Sequence, residues 1–383
     1  MKNISISKIF TILLVLYPVI QVYDSPVGSL SLADTLLLLL YPFLLLNLLL
    51  LRRMRIDKLQ LFLAVFVTAN LVLIAILGIS GVGEILRNQV HFLLVLVTLA
   101  FFVPNMFDKE LGIKLLCYVS LISSIYLIVQ DILLHVFGIV LRAHLSFLTA
   151  HISVNGHIRP FAFFSEPAAF GMFNAVGLTT FIFLKPFKDK TNRIAEMIIS
   201  LGMMLSLSST AVALLAIVWI CQFALELRMG EISFKVKPIT LVAVVSIMVL
   251  FLAANSKMNI VAYVYQRVVP TNGGGMGRSV FGRVGNIAGM STAYSFSPTE
   301  VALGHGMIDL IGFLPATARA YLYFGVLGCI VLILYFLSLF KKSEKYGRVL
   351  IIVALANSLF ADSIFGLAMF WYMQYVMVTY RSK

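Results

Sequence analysis

From Ile9 almost to the C-terminus the sequence is a succession of long apolar runs separated by short polar connections. A bilayer core about 30 Å thick needs roughly 20 apolar residues per helix, and the runs at 7–22, 30–50, 59–79, 88–104, 115–139, 168–184, 238–255 and 315–340 meet that demand to within a few residues. Two stretches are longer than one crossing. As a single helix, residues 194–227 would extend about 51 Å, more than a bilayer core. Basic residues flank both ends, Lys188, Lys190 and Arg193 before it and Arg228, Lys235 and Lys237 after it. A hairpin of two short helices, 194–207 and 210–227, turning near Ser206-Leu207-Ser208-Ser209-Thr210, keeps both flanks on one side. The same reasoning divides 349–379 around Ala361-Asp362-Ser363 into spans at 349–361 and 365–379.

The connections Arg52-Arg53-Met54-Arg55, Lys185-Pro186-Phe187-Lys188-Asp189-Lys190 and Lys341-Lys342-Ser343-Glu344-Lys345 are strongly basic and are expected on the cytoplasmic side. The expectation is an all-α integral membrane protein, 1–383 forming one polytopic domain of about twelve transmembrane helices, with both termini cytoplasmic. Two large loops, 140–167 and 256–314, then lie outside.

Composition excludes a soluble class: 61% of the 383 residues are hydrophobic and 12% charged, with a mean hydropathy of +1.01. Lys2 and Lys8 before the first apolar run resemble a signal peptide. No small-residue cleavage site follows, so an uncleaved first span is expected. The net charge of +13 belongs mostly to short connections, where membrane topology accounts for it, and nucleic acid is not an expected partner. Cys117, Cys221 and Cys329 all sit inside apolar runs, which suggests packing and neither a disulfide framework nor a zinc site.

The identity of the basic residues changes the picture. On this topology the cytoplasmic side holds 14 Lys and seven Arg, whereas the outer side holds Lys257 alone against Arg87, Arg142, Arg159, Arg267, Arg278, Arg283 and Arg319. Guanidinium grips phosphate through a rigid fork of donors, and lysine is a hydrated point charge. External arginine on an oily chain therefore points to a phosphate or pyrophosphate ligand, beside the plainer roles of lipid headgroup contact or pairing with Glu300 and Asp309. Gly273-Gly274-Gly275-Met276-Gly277 gives a pliable backbone just before Arg278, and Tyr263, Tyr265, Tyr294, Phe281 and Phe296 offer faces for sugars or for the membrane interface. His305, in Leu303-Gly304-His305-Gly306, can donate to phosphate or carry a proton near neutral pH. His144, His151 and His157 have no carboxylate at metal-ligand spacing, and no metal or other cofactor is expected. Asp131 is an intramembrane carboxylate near the outer end of its helix, suited to function or to inter-helix pairing.

One segment gathers these themes. In Arg159-Pro160-Phe161-Ala162-Phe163-Phe164-Ser165-Glu166-Pro167, Pro167 is placed as the first residue of a helix and Glu166 as its cap, where the helix dipole favours a carboxylate. Followed by Ala168-Ala169-Phe170-Gly171, this segment resembles that of bacterial Wzy-type O-antigen and exopolysaccharide polymerases, relatives of the O-antigen ligases. The Ser/Thr-rich apex at 206–210, the long late loop, the span count and the spacing from Arg278 to Gly289 agree with that family. Ser209 stands where many relatives carry arginine, and from Arg159 the nearest glycine, Gly171, comes one residue late.

The resemblance implies a GT-C-like glycosyltransferase of the bacterial inner membrane, with a periplasmic active site, working in lipopolysaccharide or related polysaccharide biosynthesis. Its substrates would be oligosaccharide repeat units carried on undecaprenyl pyrophosphate, and a chain-length regulator protein would be a partner. Inverting transfer needs a base for the attacking hydroxyl, for which Glu166 is the first choice and His305 the second. It also needs cationic stabilisation of the leaving pyrophosphate, assigned to Arg159, Arg278 and Arg283, with Arg267, Arg142 and Arg319 behind them. An O-antigen ligase, transferring glycan to lipid A core, shares the fold and donor. A polysaccharide flippase is the alternative from another class, and it would show paired half-repeats and short external loops.

Overall fold

The computed structural model describes residues 5–25, 31–50, 54–79, 92–141, 160–229, 294, 296–308, 314–360 and 368–380. Among these residues the chain is helical and has no β-strand. We number the helices α1 (Ile6–Ile20), α2 (Leu32–Leu50), α3 (Lys58–Leu77), α4 (Phe92–Met106), α5 (Lys109–Phe137), α6 (Pro167–Leu184), α7 (Asp189–Leu205), α8 (Ser209–Met229), α9 (Pro298–Leu303), α10 (Ala316–Lys342), α11 (Lys345–Phe360) and α12 (Ala368–Val378). Five of them, α2, α3, α5, α6 and α10, are long and apolar enough to cross a membrane. Helices α1 and α4, and the stretch Thr210–Glu226 within α8, are apolar but shorter. As helices, the described runs end within about six residues of the expected bounds, and 194–227 does divide into two: α7 ends at Leu205, Leu207 turns with φ +50°, and α8 begins at Ser209. The expected run at 238–255 lies outside the described residues.

The chain divides into two compact units, residues 1–47 with 106–265 and residues 48–105 with 266–383. In the first, α6 is the central post and packs against α5, α7 and α8. Its apolar surface is buried on nearly every side from Ala169 to Ile182, because small residues let its neighbours approach backbone to backbone. Gly171 lies against Ala211 of α8 and Gly177 against Ser120 of α5, and a Cβ at either glycine would collide with them. Around Asn174 the trapped polar atoms bond to one another. The Asn174 amide donates to the Phe170 carbonyl (3.0 Å) and to Ser123 Oγ (3.4 Å), and its oxygen accepts from Ser124 Oγ (3.2 Å).

Near the end of α5, Gln130 acts as a two-ended tie. Its Nε2 donates to the Leu141 carbonyl (2.9 Å) and its Oε1 accepts the Ala162 N–H (2.9 Å). These are the two stems of the segment 142–159, which itself lies outside the described residues. Asp131, the next residue, is buried, as its place in an apolar helix led one to expect. Replacing Gln130 with leucine keeps the volume and leaves two backbone groups unpaired, a cost of about 1–3 kcal/mol. Thermal unfolding of the purified protein should show a lowered midpoint, and limited proteolysis should show faster cleavage within 142–159.

In the second unit α10 packs on α3 and α11, and α11 on α12. Asp57 starts α3 by accepting the N–H groups of Leu59 (3.0 Å) and Gln60 (3.1 Å). Its other oxygen lies 4.0 Å from Lys342 Nζ, which also sits 5.3 Å over the Tyr380 ring. Tyr335 donates to Gln60 Oε1 (2.9 Å). A bridge between Ser343 and Tyr380 brings the chain's last described residue to the turn between α10 and α11. Residues 54–58 and 341–348 therefore share one end of this unit.

Candidate active site

The other end of α10 is where the second unit departs from regular structure. Gly325 stands nine residues inside this helix, about 14 Å from its start, with φ +61° and ψ −162°, a backbone state open essentially to glycine alone. The helical ladder cannot run through such a residue, so the carbonyls of the preceding turn need other donors. They find them in the motif Leu303-Gly304-His305-Gly306: the His305 N–H donates to the Leu322 carbonyl (2.8 Å) and the Gly306 N–H to the Tyr323 carbonyl (2.9 Å). The two segments touch through their glycines. A Cβ on Gly304, whose φ is +77°, would strike the backbone of Tyr323 and Phe324, and one on Gly325 would strike the carbonyl of Ala302. From α3, Asn70 Nδ2 donates to the Leu303 carbonyl (2.8 Å), and Phe66 packs on Phe324 (5.8 Å between centroids). Broken helices within apolar spans are tolerated where protein or a cavity covers the freed backbone, and they recur at binding sites.

What the break holds in place is His305. The residue is 6% exposed. Phe296 meets its ring edge-on at 5.3 Å, and Tyr294 lies 5.9 Å away. Phe296 stacks in turn on Tyr321 of α10 at 5.6 Å. The Nδ1 of His305 is 3.7 Å from Glu300 Oε1. Its Nε2 is buried and has no hydrogen-bond partner among the described residues. A buried nitrogen without a partner loses its water and gains nothing in return. It therefore marks a place where a polar ligand atom is favoured.

Glu300 is fixed before it reaches the histidine. Helix α9 opens with a capping box: Ser297 Oγ accepts the Glu300 N–H, and Glu300 Oε2 accepts the Ser297 N–H at 2.6 Å. Hydrogen bonding to the carboxyl from Ser297, first from its backbone N–H and then from its side chain, holds it below the usual carboxylate range.

The other site residues expected from sequence fall in three places. Glu166 is the N-cap residue of α6 with Pro167 as the first helical residue, as expected, but its side chain makes no capping bond and is exposed. It belongs to the first unit, whereas His305 belongs to the second. Arg319, on the first turn of α10, donates from Nε to the Leu314 carbonyl (2.8 Å) and so braces the entry to the broken helix. Arg142, Arg159, Arg267, Arg278 and Arg283 lie outside the described residues. The expected pairing of Glu300 with external arginine gives way, among the described residues, to contacts with Ser297 and His305. Asn70 and Gly325 had no place in the sequence reading. A lone asparagine in an apolar span was the available signal for the first. In comparisons with known proteins, no family model matches the chain and no curated protein matches it.

Proposed function

We propose that this chain is a membrane glycosyltransferase of the Wzy type, twelve spans with a GT-C-like arrangement in the bacterial inner membrane. On this reading it joins undecaprenyl-pyrophosphate-linked repeat units into a surface polysaccharide at the periplasmic face. The observation that carries the reading is a buried imidazole with an unpartnered Nε2, backed by a carboxylate and docked on a broken helix of a polytopic membrane chain. The acceptor sugar hydroxyl gives its proton to His305 Nε2 as its oxygen bonds to the anomeric carbon of the growing glycan. The bond from that carbon to the lipid pyrophosphate breaks, and the electron pair leaves on the phosphate oxygen. Arginine from the external loops, Arg159, Arg278 and Arg283 first, takes up the charge of the leaving group. Displacement from the opposite side inverts the anomeric centre. Glu166, with its uncommitted cap-position side chain, is the rival for the base.

Deleting the gene and resolving surface glycan on a gel tests the proposal. A polymerase mutant retains core carrying a single repeat unit. Bare core, with neighbouring genes expressed normally, overturns polymerisation in favour of a ligase or a flippase. At the residue level, Arg278→Lys keeps the charge and loses the fork. Loss of a charged hydrogen bond worth about 1.5–3 kcal/mol lowers the chain-extension rate on lipid-linked repeat units by about ten- to a hundredfold. A wild-type rate at equal protein level would remove Arg278 from the pyrophosphate site.

A further inference from the structure

Glu300 and His305 are held together at two points. The Gly304 N–H closes onto the Glu300 carbonyl at 2.8 Å, which sets the histidine directly after the carboxylate's own helical turn. The capping box spends one carboxylate oxygen, Oε2, on Ser297 and leaves Oε1 on the side of His305 Nδ1, 3.7 Å away. The glutamate side chain is 14% exposed. From the surrounding elements, the groups near His305 are the Tyr294 ring, Phe296 with Tyr321 of α10 behind it, and the neutral Asn70 of α3 on the neighbouring Leu303 carbonyl. Among the described residues Glu300 is the charged group against this imidazole.

A neutral imidazole carries its single proton on one nitrogen, and a carboxylate beside Nδ1 keeps the proton there and leaves the Nε2 lone pair available. When Nε2 takes up a second proton, the same carboxylate stabilises the imidazolium. We propose that Glu300 is a positioning residue that fixes the Nδ1–H tautomer of His305 and so makes the buried Nε2 the proton acceptor of the transfer reaction. This rests on the polymerase reading for the identity of the proton donor, a sugar hydroxyl, but not for the tautomer itself. The short α9, with Pro298 at its first position and Ser297 as its cap, exists on this view to aim one carboxylate oxygen.

The test uses the full-length protein in lipid nanodiscs with ¹⁵N-labelled histidine, the His305 signals being assigned by their loss in His305→Asn. Glu300→Gln retains an acceptor for the Ser297 N–H and removes the negative charge. In the wild type the shifts should report the Nδ1–H form, and in Glu300→Gln that preference for one nitrogen should be lost, with Glu300→Asp between the two. On lipid-linked repeat units, Glu300→Gln should lower kcat about tenfold or more with KM unchanged. An unmoved tautomer in Glu300→Gln, at an unchanged thermal midpoint, would overturn the inference whatever the substrate. A changed tautomer in a protein whose wild type extends no glycan would uphold the pair and sink the polymerase reading. If Glu300→Gln fails to accumulate, Glu300→Asp decides alone, since a tautomer balance equal to the wild type's would count against a contact that depends on reach.

Discussion

Replacing Gly325 with alanine should unmake the site while leaving most of the protein helical. Two costs add at this position. The backbone, at φ +61° and ψ −162°, is one that an L-residue enters at about 1–3 kcal/mol. The new methyl group would also meet the Ala302 carbonyl at less than contact distance, and forcing atoms into a packed contact costs about 1–3 kcal/mol more. Relief comes most directly by restoring the helix through residue 325. That returns the Leu322 and Tyr323 carbonyls to the helical ladder and evicts the N–H groups of His305 and Gly306 that now occupy them. The expected result is a thermal midpoint lowered by several degrees, far-ultraviolet circular dichroism close to wild type, and glycan extension reduced to background. Hydrogen exchange should locate the change: the amides of His305 and Gly306 should lose protection, while those of α6 and α7 in the first unit should keep theirs. Wild-type protection at His305 in Gly325→Ala would show that the broken helix does not depend on glycine.

Much of the fold was legible because bilayer crossing demands about 20 apolar residues at a stretch, and a demand that long leaves its mark without any tertiary information. The α7–α8 hairpin was legible for a second reason: basic residues on both flanks of 194–227 do not suit the two sides of one crossing. The break in α10 was not. Gly325 lies in Tyr323-Phe324-Gly325-Val326-Leu327, and glycine is common in apolar spans for reasons of packing. Its partner Gly304 sits in a different element, so only the folded chain pairs them. His305 stood out as a histidine between glycines, but what commits its two nitrogens comes from Glu300 and from burial. Of that arrangement the sequence carried one local sign, the capping box in Ser297-Pro298-Thr299-Glu300. Gln130 is harder still to foresee. A glutamine near the end of a helix has many uses, and tying Leu141 to Ala162 depends on where a distant chain returns. The arginine surplus is a property of composition and topology together, and it locates a charge without a geometry.

His305→Gln separates the two candidate bases. Glutamine presents an amide of similar reach, fits the space beside Phe296 and leaves the backbone bond from residue 305 to Leu322 in place. The docked motif should therefore survive, with a thermal midpoint within a few degrees of wild type. What glutamine cannot do is accept a proton near neutral pH. A positioned general base contributes about 10²–10⁴ in rate, and extension of lipid-linked repeat units should fall by a factor in that range, with binding of the donor little changed. Glu166→Gln is the matched comparison. Its carboxylate is exposed and makes no capping bond to α6, so the loss of charge there should cost the helix little and, with His305 as the base, should leave the pH dependence of extension where it was. With His305 as the base the loss of rate falls on His305→Gln, and with Glu166 as the base it falls on Glu166→Gln. A large loss in Glu166→Gln beside an active His305→Gln would hand the proton to the mouth of α6 and leave the buried imidazole with a binding role.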